Sequence, residues 1–102
     1  MKNLRHKFNA VQTIRDGYIF DSKKEARYYD QLCMAQKAGE VVCFLRQVPF
    51  HIPGNVTYRL DFLVFYKDGT VSCIDVKGRR TPQYIDKKKI VEALYPVTIR
   101  EV

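Results

Sequence analysis

The chain of 102 residues has no tryptophan, only five glycines and four prolines, and three cysteines. Cys33, Cys43 and Cys73 are odd in number and form no C-x-x-C pair, which indicates reduced core residues rather than a disulfide or zinc framework. No apolar run reaches the roughly 18 residues that a membrane span needs. The basic start of the chain also lacks the apolar segment of a secretory signal. These absences predict a cytoplasmic protein.

The composition supports one folded domain with an excess of positive charge. Hydrophobic residues make up 46% of the chain and aromatic residues 13%, which excludes collagen-like, low-complexity and wholly disordered classes. The length allows a single domain. Lys and Arg number 18 against 11 Asp and Glu, so the formal net charge is +7. An ordinary solvated surface can carry that charge, but the excess favours a polyanionic partner.

Pattern and charge divide the chain into an arm and a domain. Residues 1–10 contain Lys2, Arg5 and Lys7 and show no hydrophobic periodicity, so we expect a flexible basic arm that contacts nucleic acid. Residues 11–102 carry the periodic patterns of a folded unit, without internal repeats or a linker rich in Pro, Gly or Ser.

The periodic patterns predict a hairpin followed by the order α-β-β-β-α-β. Asp16-Gly17 is a two-residue hairpin signal. Ser22 with Glu25 forms a capping box at the start of a helix that runs to about Ala38. The further elements, in chain order, are strands at 41–52, 57–66 and 70–76, a helix that Thr81-Pro82 opens and Pro96 ends, and a strand at 97–102. This order is typical of a mixed α/β domain with one central sheet.

Two aspartates interrupt strands that otherwise look buried. The strand at 57–66 is apolar on both faces, with Tyr58, Leu60, Phe62 and Val64 on one of them, as in a strand that is covered on both sides. Asp61 lies in its middle, although desolvating an unpaired carboxylate costs several kcal/mol. The next strand contains Asp75, which shares a face with Lys77. Each aspartate also has a purely structural explanation. Asp75 can form a simple ion pair with Lys77, and Asp61 can form a buried ion pair with Lys77 or Arg59.

The turn between these strands decides whether the two acids meet. A two-residue turn at Asp68-Gly69 places Asp61 opposite Val76, with the acids on opposite faces. A three-residue loop with Gly69 in the left-handed region places Asp61 opposite Asp75. Both loops suit the residues. In the second case the carboxylates approach to about 5 Å and repel by about 3–4 kcal/mol at an effective dielectric constant of about 20. Mg²⁺ or Mn²⁺ would relieve that repulsion.

Glu25 has two interpretations. It lies at the N-terminal end of the inward stripe of the first helix, so its carboxylate can approach the two aspartates. The other interpretation is that Glu25 only completes the capping box and interacts with the helix dipole.

The combination of Leu60-Asp61, Asp75-Val76-Lys77 and a preceding helix with Glu25 resembles the PD-(D/E)xK nuclease superfamily. The element order is that of the family, so the resemblance covers residues 21–102. Leu60 stands where the signature has proline, and Asp75 stands where glutamate is more frequent. The resemblance implies a restriction-endonuclease-like αβββαβ core with a central mixed sheet and an extra N-terminal hairpin.

Two short segments narrow the resemblance. Phe20-Asp21-Ser22-Lys23-Lys24-Glu25-Ala26 and Arg79-Arg80-Thr81-Pro82 are similar to segments of small phage-encoded members of that superfamily. Those members are regarded as Holliday-junction-resolvase-like or have no assigned function. If the chain is phage-encoded, the expected location is the cytoplasm of the bacterial host.

The resemblance also implies roles for individual residues. Asp61 and Asp75 would be metal ligands together with the carbonyl of Val76, and Glu25 would be a third acidic ligand, directly or through water. Lys77 would orient or activate the attacking water and stabilise charge on the phosphate. The implied cofactor is Mg²⁺, with Mn²⁺ able to substitute, because a divalent ion supplies both a hydroxide-like nucleophile and charge neutralisation for phosphodiester hydrolysis.

Further polar residues are secondary candidates. Gln47 would face inward if the strand at 41–52 alternates regularly, and a buried amide satisfied by the backbone is its other interpretation. A basic stretch follows Lys77, and its side chains can contact phosphates without reading sequence, or can simply form a solvated helix face. The residues of this stretch are Arg79, Arg80, Lys87, Lys88 and Lys89.

The sequence therefore predicts a Mg²⁺-dependent DNA endonuclease that cuts branched DNA such as four-way junctions. Symmetrical cleavage of a junction needs two active sites, so we expect a homodimer with twofold symmetry. The alternatives are a nicking or restriction-like nuclease and a non-catalytic DNA-binding subunit with the same fold.

Overall fold

A computed structural model describes residues 12–102, so the basic arm expected at residues 1–10, with Lys2, Arg5 and Lys7, lies outside the described residues. The described part contains two helices, a four-stranded mixed sheet and a two-stranded hairpin. In chain order the elements are β1 (Thr13–Arg15), β2 (Tyr18–Phe20), α1 (Lys23–Lys37), β3 (Val41–Ile52), β4 (Val56–Tyr66), β5 (Val71–Asp75), α2 (Pro82–Leu94) and β6 (Ile99–Glu101). The predicted α/β class and element order are confirmed. Within this range neither helix has the length and apolar content needed to cross a bilayer.

The four-stranded sheet has the order β3-β4-β5-β6. The pairs β3–β4 and β4–β5 are antiparallel, whereas β6 pairs with β5 in parallel. A parallel neighbour requires a crossover connection, and α2 supplies it between β5 and β6. Because β5 ends at Asp75, both Val76 and Lys77 lie just beyond the strand, which is shorter than the predicted strand at 70–76.

The turns explain the register of the strands. In the hairpin, Asp16 and Gly17 both have positive φ, 51° and 83°, as a two-residue type I′ turn requires. The loop between β4 and β5 takes the three-residue form, because the amide of Tyr66 donates to the carbonyl of Thr70 at 2.9 Å and Gly69 has a φ of 91°. This is the register that brings the two aspartates together.

Two separate hydrophobic cores lie against the sheet, and one helix covers each of them. The α1 core contains Ala26, Tyr29 and Leu32 from the helix and Phe62, Val64 and Ile74 from the strands. The α2 core contains Tyr84 and Val91 from the helix and Tyr58, Leu60 and Cys73 from the strands. Aromatic contacts reinforce both cores, such as the edge-on packing of Tyr29 against Phe44 with ring centroids 5.7 Å apart.

The sheet exchanges its two faces between these cores. Leu60 packs in the α2 core and Phe62 in the α1 core, although residues two apart share a face in a regular strand. In β3 the same exchange occurs between Phe44 and Val48, and Gln47 between them has a φ of 52°. We call this feature, at 46–48 and 60–62, the face reversal. It makes the prediction that Tyr58, Leu60, Phe62 and Val64 share one face wrong.

The cysteines are free thiols, in agreement with the expectation that they form no disulfide. Cys73 is buried and Cys33 is half-buried, but Cys43 is exposed. The expectation that all three are core residues is therefore wrong for Cys43, which lies on the edge strand β3.

Candidate active site

Backbone amides fix the two aspartates beside each other. The amide of Asp61 donates to Asp75 Oδ1 at 3.0 Å, and the amide of Val76 donates to Asp61 Oδ2 at 2.9 Å. Each carboxylate is therefore held by a main-chain group of the neighbouring strand segment. Asp75 is fully buried and Asp61 is half-buried. The pair lies at the face reversal, where Asp61 belongs to neither core.

Two tyrosines surround Asp75. The hydroxyl of Tyr58 donates to Asp75 Oδ2, and the Tyr58 and Tyr84 rings stack with centroids 6.2 Å apart. Burial raises the pKa of Asp75, while the amide of Asp61, the charge of Lys77 and the Tyr84 hydroxyl act in the opposite direction. Both oxygens of this buried carboxylate thus have protein donors, which keep it in one orientation.

The pKa of Asp61 is raised as well, and burial is again the main cause. The amide of Val76, the charge of Lys77 and a hydrogen bond from the Gln47 side chain favour the charged form. Asp21, just before α1, acts in the opposite direction through its negative charge. A buried carboxyl with a raised pKa is common at functional sites, where burial and like charges are arranged together.

Glu25 faces the aspartates from the first turn of α1 and is only 9% exposed. The hydroxyl of Ser22 accepts the amide of Glu25 at 3.1 Å, but the reciprocal bond of a capping box is not formed between these two residues in the described range. Burial, followed by the charges of Asp61 and Asp21, raises the pKa of Glu25 to about 7. Its carboxyl is therefore part of the acidic site rather than a cap alone.

Lys77 brings a positive charge to the same site. Its ammonium lies 4.3 Å from the centroid of the Tyr84 ring, and its carbonyl accepts the Lys24 ammonium at 2.9 Å. Among residues 12–102 Lys77 forms no ion pair with Asp75 or Asp61, and Arg59 forms none with Asp61. The simple ion pairs considered for the aspartates are thus absent there. The Lys77 charge nevertheless opposes part of the rise that burial causes in the pKa of Glu25 and of both aspartates.

The donors of the site fit a hard divalent cation in kind. Three carboxyl groups, all with raised pKa values, belong to one polar group without a histidine or cysteine, and Mg²⁺ and Mn²⁺ prefer oxygen ligands. A cation would offset both causes of the raised pKa values, desolvation and like charge. Among residues 12–102, no group of three or more Asp, Glu, His or Cys side chains is arranged so that it could hold a metal ion.

The structure places the secondary candidates differently from one another. Gln47 is exposed and has a left-handed backbone conformation. The expectation that it faces inward through regular alternation along the strand is therefore wrong, yet its side chain still forms a hydrogen bond with Asp61. In the basic stretch, Glu101 binds Arg80 and Lys88, each at 3.1 Å. Arg79 and Lys89 are exposed, and Lys87 is half-buried.

Four residues of the site were not identified as such from the sequence. Asp21 and Lys24 lie within the segment 20–26, which the resemblance had singled out only as a string. Tyr58 was expected only on an apolar strand face, and Tyr84 lies in α2, where no charge or spacing marks it. The contact of Tyr58 with Asp75 joins two strands, so no spacing in the sequence could have indicated it.

Comparison with known proteins gives one family. A family model described as "Protein of unknown function (DUF1064)" matches residues 5–100, almost the whole chain. The comparison with curated proteins gave no match. The description of the family states no activity, so the geometry of the site has to carry the functional argument.

Proposed function

We propose that this chain, a member of the DUF1064 family over nearly its whole length, is a metal-dependent DNA endonuclease that hydrolyses phosphodiester bonds. The proposal rests on the site, since the family description states no activity. The observation that supports this most directly is the pair Asp61 and Asp75, held on adjacent strands by amides, with Glu25 and Lys77 beside it. The substrate we propose is branched DNA, as in Holliday junction resolution.

The proposal includes membership of the PD-(D/E)xK superfamily with a restriction-endonuclease-like core. Its support is the element order and the pairing: α1 precedes three antiparallel strands, and α2 leads to β6, which is parallel to β5. The hairpin β1–β2 is the extra N-terminal element.

Each residue of the site has a chemical task in this proposal. Mg²⁺, or Mn²⁺ in its place, would be held by Asp61, Asp75 and the Val76 carbonyl, with Glu25 acting through water. Bound there, the ion would act as a Lewis acid towards the phosphate and lower the pKa of water. The Lys77 ammonium would donate to a phosphate oxygen and stabilise the charge that develops in the transition state. Tyr58 would keep the Asp75 carboxylate in its orientation.

The basic side chains supply affinity for DNA in this proposal. Arg79, Lys87 and Lys89 form no ion pair within residues 12–102, so they are available for phosphates, which position a nucleic acid without specifying its sequence. Arg80 and Lys88 would have to exchange Glu101 for a phosphate.

Symmetrical cleavage of a junction also requires a second copy of the chain, and an exposed apolar surface offers a place for it. Leu45 on the edge strand β3 and Tyr18 on the hairpin line the same surface cavity. Ile14, Ile19, Val42 and Leu45 are all at least half exposed. Exposed apolar side chains are typical of interaction sites where they lie together, and we propose that these residues join two copies into a homodimer.

A cleavage assay with single substitutions tests the catalytic proposal. Junction, duplex and single-stranded DNA are incubated with the protein and Mg²⁺ or EDTA. Asp75→Asn and Lys77→Ala should abolish metal-dependent cleavage and leave junction binding within a few-fold of the wild type. Asp86→Asn and Lys37→Ala, which remove the same charges from exposed positions, serve as matched controls and should cleave normally.

The outcomes separate the alternatives. Cleavage of duplex in preference to junctions would favour a nicking or restriction-like nuclease. Junction binding without cleavage under any metal would favour a non-catalytic DNA-binding subunit. Retained turnover in Asp75→Asn or Lys77→Ala, at wild-type melting temperature, would refute the catalytic assignment.

A further inference from the structure

A cationic groove opens beside the candidate active site. It is a surface cavity of about 230 Å³ between the end of β4 that precedes Asp61 and the first turns of α2. Besides two tyrosines, the residues that line it are Thr57, Arg59, Lys77, Thr81, Gln83 and Lys87. Three of these carry a positive charge and none carries a negative charge. We call this cavity the Arg59 groove.

The cations of the Arg59 groove differ from several others in the described part of the chain. Arg15 is paired with Asp30, and Arg80 and Lys88 are paired with Glu101. Arg59, Lys77 and Lys87 form no ion pair within residues 12–102. Arg59 and Lys87 therefore bring two charges without an ion-pair partner beside Lys77, which faces the carboxylates, so the groove is electrostatically complementary to an anion.

The groove is continuous with the carboxylates. Tyr58 lines the groove and donates its hydroxyl to Asp75. Tyr84 lines it too, and the Lys77 ammonium rests on the Tyr84 ring. A polyanion with regularly spaced charges can therefore place one charge in the groove and the next at the acidic site.

We propose that the Arg59 groove binds a backbone phosphate of the DNA strand that is cut, next to the phosphate that reacts, and that Arg59 and Lys87 anchor it. The strand then runs from the first turns of α2 across β4 to Asp61 and Asp75. This inference rests on the proposed nuclease function for the identity of the ligand. Arg59 touches a phosphate that does not react, so its contribution is to substrate binding and positioning.

The test measures binding of a labelled DNA duplex and a labelled junction in EDTA, where no cleavage occurs, over a series of salt concentrations. Each phosphate contact contributes about 0.9 to the slope of log K against log salt for duplex DNA. Arg59→Ala/Lys87→Ala should therefore lower the magnitude of the slope by about 2. The matched control Lys37→Ala/Lys67→Ala removes the same charge from exposed positions outside the groove and should leave the slope unchanged. Thermal melts establish that both variants are folded.

A steady-state measurement with Mg²⁺ gives a second readout. Loss of a contact to a non-reacting phosphate removes uniform binding, so Arg59→Ala should raise KM and leave kcat close to that of the wild type. Lys77→Ala should instead lower kcat.

Failure of the groove and failure of the nuclease proposal give different results. Phosphate binding in the Arg59 groove is refuted if the groove variant keeps the wild-type salt slope, or if the control variant loses as much slope. Cleavage by the wild type would still support the nuclease function in that case. A slope that depends on Arg59 and Lys87 in a wild-type protein that cleaves nothing supports the groove and overturns the nuclease.

Discussion

Replacing Glu25 by glutamine should stabilise the metal-free protein at alkaline pH, because the folded state raises the pKa of this carboxyl. The pKa is 4.5 in an ordinary glutamate and about 7 in the folded protein. Since one pKa unit corresponds to about 1.4 kcal/mol, this difference amounts to about 3 kcal/mol. The folded state binds more protons than the unfolded state between these two values, so stability falls as the pH rises through this window. The stabilising contribution is complete below pH 4.5 and lost above pH 7.

Urea denaturation in EDTA, followed by circular dichroism, measures this effect. At about pH 8 the variant Glu25→Gln should exceed the wild type in unfolding free energy by up to about 3 kcal/mol, and near pH 4.5 the two should be similar. Glu40→Gln, which removes the same charge at an exposed position, is the matched control and should not reproduce the gain in stability at about pH 8. Added Mg²⁺ should restore stability to the wild type more than to Glu25→Gln. A variant that is less stable at alkaline pH, or a difference that does not change with pH, would refute the placement of Glu25 among the aspartates.

Two further predictions concern the Asp61 carboxylate and the proposed homodimer. Without metal, Asp61→Asn should be at least as stable as the wild type, and Mn²⁺ should raise its melting temperature only slightly. A loss of about 3–5 kcal/mol in unfolding free energy, with a wild-type response to metal, would instead indicate a buried structural ion pair. Light scattering should show that the wild type is a dimer in solution and that Leu45→Glu is a folded monomer. The control Leu94→Glu, at an exposed apolar residue of α2, should remain a dimer. A monomeric wild type would contradict the proposed interface.

Local signals in the sequence were sufficient for the order of the elements. Asp16-Gly17 marks a turn in which both residues need positive φ, and Thr81-Pro82 starts α2 with a side-chain cap, since the Thr81 hydroxyl accepts the amide of Tyr84 at 3.1 Å. Such signals act over a few residues and can be read from sequence. For the β4–β5 loop, the sequence allows two loop lengths, each with its own register of strand pairing. Only the packing of both strands selects one of them.

The contacts that complete the site could not be read from the sequence because they join distant segments. Tyr58 reaches Asp75 across 17 positions, and Lys24 reaches the carbonyl of Lys77 across 53. The left-handed conformation of Gln47 also had no local signal, since glutamine is not a residue that favours positive φ. Regular alternation along β3 places Gln47 on the inward face, whereas the structure shows this residue exposed.

The face reversal also determines where this small domain can accommodate charge. The α1 core and the α2 core share no residue, so the sheet divides the interior into two halves, with a polar seam where its faces exchange. Neither half could hold an aspartate in its interior without a large desolvation cost. At the seam the strands offer amides instead of apolar neighbours, and Asp61 and Asp75 use them. Substitutions within one half should add to those in the other, as expected for sites without shared partners, whereas changes at the seam act on both halves at once.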